Sequence, residues 1–121
     1  MIGNVSLQTC KQGYEFELIE NNLSESFYHL LPVFIDLYVG QDTRYWGYLP
    51  RKLNIENLPK IVMPPRRGLY YVPSLQTVTI YYRDAISEPA NDLYLLGRPK
   101  KNLETLAQQA NDIVIRAEFK F

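Results

Sequence analysis

Residues 75–83 read LQTVTIYYR. Side chains alternate across an extended chain, so Val78, Ile80 and Tyr82 fall on one face and Thr77, Thr79, Tyr81 and Arg83 on the other. The first set is expected to be core, and Tyr81 and Arg83 to be neighbours facing solvent. Downstream, the turn-rich DAISEPAND (84–92) leads to a second apolar run, LYLLG (93–97), and the two runs read as a hairpin with a long loop that Gly97-Arg98-Pro99 ends. Asn102 is placed to cap a helix, and Leu103, Leu106, Ala107 and Ala110 recur at helical spacing. Residues 102–111 are therefore expected to lay one apolar helical stripe on a sheet. Beyond them Ile113, Ile115, Ala117, Phe119 and Phe121 alternate with Val114, Arg116, Glu118 and Lys120, which predicts a strand over 113–121, paired within the domain or with a second chain.

Upstream of that stretch the period is again two. Tyr14-Glu15-Phe16-Glu17-Leu18 reads as a half-buried strand with Glu15 and Glu17 facing water. Val5 to Cys10 precedes it as a further strand, joined through Lys11-Gln12-Gly13. Ser24 could cap a short helical turn carrying Phe27, Leu30 and Leu31, which Pro32 would stop. VFIDLYV (33–39), rich in β-branched and aromatic residues, reads as a more deeply buried strand. Six prolines between residues 32 and 73 then exclude long helices and leave short edge strands and loops, with Tyr45, Trp46 and Tyr48 in one of them. The expected architecture is a single α+β domain over 1–121, dominated by a sheet of mostly antiparallel strands, with exposed edges open to strand addition.

Composition sets the class. At 121 residues, 46% hydrophobic and 21% charged, the chain can bury a real core. It has one cysteine, Cys10, so no disulfide forms within the chain. The opening MIGNVSLQTCKQGYEF has no basic start followed by an apolar run, and LLPVFIDLYVG is cut by Pro32 and Asp36. Neither a secretory signal nor a membrane span is expected, and a cytoplasmic protein is. The sequons at Asn4 and Asn22 are too short a pattern to outweigh this.

Net charge is zero, with 13 residues of each sign, which argues against binding nucleic acid through bulk electrostatics. The distribution is uneven. Residues 1–50 carry Lys11 and Arg44 against Glu15, Glu17, Glu20, Glu25, Asp36 and Asp42, a net −4, and residues 51–121 carry +4.

The residues that carry chemistry mostly eliminate it. His29, the sole histidine, could in principle serve as base to Cys10, Ser24 or Ser26, but it sits among phenylalanine, tyrosine and leucine and reads as a partly buried structural residue. One histidine and one cysteine cannot make the usual structural zinc site. No phosphate-cradling glycine motif occurs. No catalytic residue, metal or cofactor is assigned, and no enzymatic activity is expected.

Arg67-Gly68-Leu69-Tyr70-Tyr71-Val72 partly resembles the RNP1 strand of RNA-recognition motifs, and Leu37-Tyr38-Val39-Gly40 is similar to the start of that family's other RNA-binding strand. The resemblance implies aromatic faces stacked on unpaired bases with arginine on phosphates. Leu69, Tyr70 and Ser74 depart from the pattern. Gly47, Pro50 and Pro59 break the helix that the family places between the two strands, and a strand stands where its second helix belongs, so the family is not adopted. A looser version survives, in which Arg66, Arg67, Tyr70, Tyr81, Arg83, Arg98, Lys100 and Lys101 form one basic and aromatic nucleic-acid face.

The favoured expectation is a non-enzymatic protein-interaction module: a small regulator, inhibitor or assembly subunit, or a homo-oligomer, with the profile of a compact microbial or viral accessory protein. Tyrosine contributes ten residues, and Tyr, Trp and Arg are enriched at binding hot spots. Arg44, Tyr45, Trp46 and Tyr48, in a loop-like segment, are the candidate partner-binding residues, with Trp46 alternatively a plug of the core.

Overall fold

The strand signals of the sequence are realised, but as a closed barrel. In the computed structural model the described residues form, in chain order, β1 (Asn4–Gln8), β2 (Gly13–Leu18), α1 (Asn22–Tyr28), β3 (Val33–Gly40), β4 (Arg44–Tyr48), β5 (Gly68–Val72), β6 (Thr77–Tyr81), β7 (Tyr94–Pro99), α2 (Glu104–Gln108) and β8 (Val114–Lys120). The structure describes residues 3–9, 12–40, 43–56, 58–59, 66–84, 92–108 and 114–121. Cys10 and Lys11, Pro64 and Pro65, the 85–91 part of the long loop and residues 109–113 of the expected helix and strand lie outside them.

Every strand pairing is antiparallel, and the order β1-β2-β7-β5-β6-β4-β3-β8 returns to β1. Closure removes the free edges that a sheet would have offered, so the expected open edge for strand addition is corrected. The expected hairpin of residues 75–83 with 93–97 is corrected too. β5 lies between β6 and β7, paired to Thr77–Tyr81 on one side and to Tyr94–Gly97 on the other. The 113–121 strand signal becomes β8, seated between β1 and β3.

Alternation builds the interior. Val5, Leu7, Phe16, Ile35, Leu37, Tyr45, Leu69, Tyr71, Val78, Ile80, Leu96 and Phe119 point inward and are buried in one core. β3 is half-buried rather than deeply buried: Phe34 is 62% exposed and Asp36 faces out, because water covers that side of the barrel wall.

The two mouths are stopped differently. At one, α1 starts at Asn21, whose side chain accepts a hydrogen bond from the Ser24 N–H at 2.9 Å, so Asn21 and not Ser24 is the cap. Ser24 instead turns inward and donates to the Leu96 carbonyl at 3.0 Å, while Phe27 packs edge-on to Phe119 at 5.5 Å. Leu49 and Leu53 join them in the core, and the Tyr71 hydroxyl accepts from the Leu53 N–H at 3.0 Å. At the other mouth, Asn102 accepts from the Glu104 N–H at 3.3 Å at the start of α2, and Leu103, Leu106 and Ala107 close the barrel. The expected helix over 102–111 is thus seen from Glu104 to Gln108. His29, expected to be partly buried, is exposed at the end of α1. Among the described residues no helix is long and apolar enough to cross a membrane.

Candidate functional site

The expected partner-binding residues lie on β4, not in a loop. Gly47 suggests a break to the sequence reader, yet it marks a close approach. A Cβ there would stand 2.6 Å from the Asp36 carbonyl and run into Ile35, so glycine lets β4 lie tight on β3. Alternation then splits the four residues. Tyr45 is fully buried and packs against Tyr82 at 5.6 Å, whereas Arg44, Trp46 and Tyr48 face out. Trp46 is therefore not a plug of the core. Its indole packs at 5.0 Å, tilted by 34°, against Tyr38, its cross-strand partner, and meets Tyr48 edge-on at 5.4 Å. Tyr38, Trp46 and Tyr48 make a continuous aromatic rail on the barrel wall, half-buried at its centre and 61% exposed at Tyr48. From the sequence Tyr38 was named only within the stretch similar to an RNA-binding strand and not as a partner-binding residue. The signal was present, since Asp36 in VFIDLYV marks the outward face on which Phe34 and Tyr38 also stand.

The expected nucleic-acid face divides as well. Tyr70 and Tyr81 are buried, so the exposure expected for Tyr81 is corrected. Their rings meet edge-on at 5.5 Å and, with Leu93, form a small second core on the outside of β5 and β6. The RNP1-like Arg67–Val72 stretch consequently presents no free aromatic faces: Leu69 and Tyr71 point into the barrel, and Tyr70 is covered from outside. Arg83 lies exposed over the Tyr82 ring, 5.6 Å from its centroid, beside a neighbouring cleft that Arg67 and Asn102 also line.

The remaining five residues do converge. Arg66, Arg67, Arg98, Lys100 and Lys101 line one open cleft of about 490 Å³ at the α2 mouth, floored by Pro99, Asn102 and Leu103. Antiparallel pairing brings them together, because the start of β5 adjoins the end of β7, with Leu69 opposite Gly97. Among the described residues the cleft holds one carboxylate, Asp84. Its Oδ1 accepts from the Arg67 N–H at 2.8 Å and lies 3.6 Å from Arg67 Nε. The Tyr70 hydroxyl donates to the Arg66 carbonyl at 2.8 Å, and burial raises the pKa of that hydroxyl above its ordinary value, an effect that Arg98 opposes. Two buried or charged anchors thus hold the backbone that carries the arginine pair. Asp84 was missed in the sequence, where nothing marks a carboxylate 17 residues away as the clamp of Arg67.

The two serines named as possible partners of His29 are engaged elsewhere. Ser24 donates to Leu96, and Ser26 donates to the Leu23 carbonyl at 3.2 Å and accepts from the Asn54 N–H at 3.0 Å, so neither hydroxyl is engaged with His29. Among the described residues no group of His, Cys, Asp and Glu is arranged to hold a metal ion.

An eight-stranded antiparallel barrel with few helices is the architecture that the comparisons with known proteins also support. The chain belongs to the Cyclophilin-like family, whose model matches residues 7–118. Among solved structures it is similar to the solution structure of a hypothetical protein from Archaeoglobus fulgidus, with a TM-score of 0.70 at 14% identity over 98% of this chain and 93% of that one. At that identity the likeness is one of fold. No curated protein matches the chain.

Proposed function

We propose that the protein is a non-enzymatic binding module of the cytoplasm that docks a protein partner on the aromatic rail of Tyr38, Trp46 and Tyr48. The observation that supports this reading is the rail itself. The barrel interior is already filled by inward residues, and three aromatic rings in mutual contact on its outer wall add little to that core. Large, rigid aromatic surfaces with polar ends are what binding hot spots use. Arg44, Asp36 and Arg116 supply charge of both signs around the rail, with Arg116 lying 5.7 Å from the Phe34 ring centroid. Such a rim suits a partner whose apolar patch is bordered by polar groups.

The test is capture from native cells after nuclease treatment, with the wild type, Trp46→Ala and the Arg66→Ala/Arg67→Ala double variant side by side. One defined protein should be retained by the wild type and the double variant and lost from Trp46→Ala, a cost of about 2 kcal/mol or more in binding. Retention by Trp46→Ala with loss from the double variant would sink the reading. Sedimentation of the purified chain across concentration distinguishes a second copy from a different protein.

A second reading, contact with nucleic acid, is favoured by the convergence of Arg66, Arg67, Arg98, Lys100 and Lys101 in one cleft. With Tyr70 and Tyr81 buried, such contact would go to phosphates rather than to stacked bases. It requires affinity that falls steeply with salt, and a flat salt dependence rejects it.

A further inference from the structure

The cleft at the α2 mouth carries more charge than the fold explains. Arg98 and Lys100 stand two residues apart at the end of β7, and the Lys100 N–H is tied to the Glu15 carbonyl at 2.9 Å. Arg66 and Arg67 approach from β5, their backbone fixed by Tyr70 and Asp84. Lys101 completes the lining. Asp84 pairs with Arg67, but among the described residues no carboxylate forms an ion pair with Arg66, Arg98, Lys100 or Lys101. Glu17 stands opposite Arg98 in the β2–β7 ladder, and the two form no ion pair. Like charges held together in one concavity repel, and in a chain of zero net charge they are not there for general solubility.

We infer that this cleft is a binding site for a small ligand bearing a chain of phosphates, gripped by the Arg66–Arg67 pair on one wall and by Arg98, Lys100 and Lys101 on the other. Guanidinium groups match phosphate oxygens in forked, charge-assisted contacts, and lysines add mobile point charges. The size of the cleft is that of a small-molecule site, about 300–1,000 Å³. A strand of nucleic acid would need a longer basic track, and the buried rings of Tyr70 and Tyr81 offer its bases no stacking face. The inference is independent of the aromatic rail, which lies on β3 and β4.

The experiment is isothermal titration of the purified full chain with inorganic tripolyphosphate at low and moderate salt, beside the same titration with a single-stranded oligonucleotide. Tripolyphosphate should bind and weaken as salt rises. Arg98→Glu should lower its affinity by at least roughly tenfold, since it replaces one charge-assisted contact with a repulsion. Lys52→Ala, an exposed cation outside the cleft, should leave it unchanged. Arg98 is exposed, and matching thermal melts of Arg98→Glu and wild type confirm that the fold is intact. Three outcomes overturn the inference: no binding of tripolyphosphate at low salt, equal affinity in Arg98→Glu, or binding of the oligonucleotide that tripolyphosphate does not displace.

Discussion

Two stretches of the barrel's outer wall carry outward-pointing aromatics and treat them in opposite ways. On β5 and β6, Tyr70 and Tyr81 are covered, joined by Leu93 with Val72 and Leu95 at the margin. On β3 and β4, Tyr38, Trp46 and Tyr48 pack against one another and remain partly open, with Phe34 open as well. Sequence alternation is the same in both. What differs is whether another part of the chain lies over the wall. An outward aromatic is therefore buried where Leu93 packs on it and left partly exposed on the β3–β4 wall.

The contrast can be broken first by stability. Tyr81→Ala should cost about 3 kcal/mol in denaturant unfolding, as a buried ring lost from a packed cluster. Trp46→Ala should cost no more than about 1 kcal/mol. Equal losses would show that the β3–β4 wall is as structural as the covered one. Gly47→Ala comes next, at about 2 kcal/mol, because the added methyl meets the Asp36 carbonyl and the Ile35 side chain and must push β4 off β3. The same change should disturb Trp46 fluorescence, since it shifts the strand that carries the rail.

A smaller effect, about 1 kcal/mol or less, is expected for Asp84→Ala, whose signature is local. The Arg67 amide loses its acceptor and should exchange with solvent faster, while core amides such as that of Ile80 keep their protection. The smallest effect is a pH dependence on the covered wall. Burial holds the folded Tyr70 pKa above the ordinary 10.0, so the folded state keeps a proton that the unfolded chain gives up. Stability from this group is complete below pH 10 and declines as pH rises through the folded value. Tyr70→Phe should flatten that alkaline decline relative to wild type in melts between pH 9 and 11. An unchanged slope would place the ring in water, on the same footing as Tyr48.

How much of this was legible in the sequence depends on what each residue pattern reports. Alternation at Tyr14–Leu18, at Val78–Tyr82 and at Ile115–Phe119 says which side chains share a face, and those strands are found where the pattern puts them. It says nothing about which strands are neighbours. β5 separates β6 from β7, and β8 bridges β1 and β3, through contacts between residues distant in the chain. Closure followed from those pairings and could not be read from any one of them. β4 was hidden by Gly47, whose role is close approach rather than a turn. The five cations of the cleft were all named from sequence because charge is visible there. Their segregation from Tyr70 and Tyr81 was not, because only the fold shows that those rings are buried in a cluster of their own.

The position of β8 between β1 and β3 has a consequence for synthesis. A nascent chain emerging from the ribosome exposes β1 and β3 long before their common neighbour is made, and the two cannot be bridged until residues 114–120 have left the exit tunnel. The wall therefore has a seam that stays open until β8 is made, with the groups of β1 and β3 that face it unpaired. Until then the half-made chain is a natural client for chaperones that shield unpaired strands.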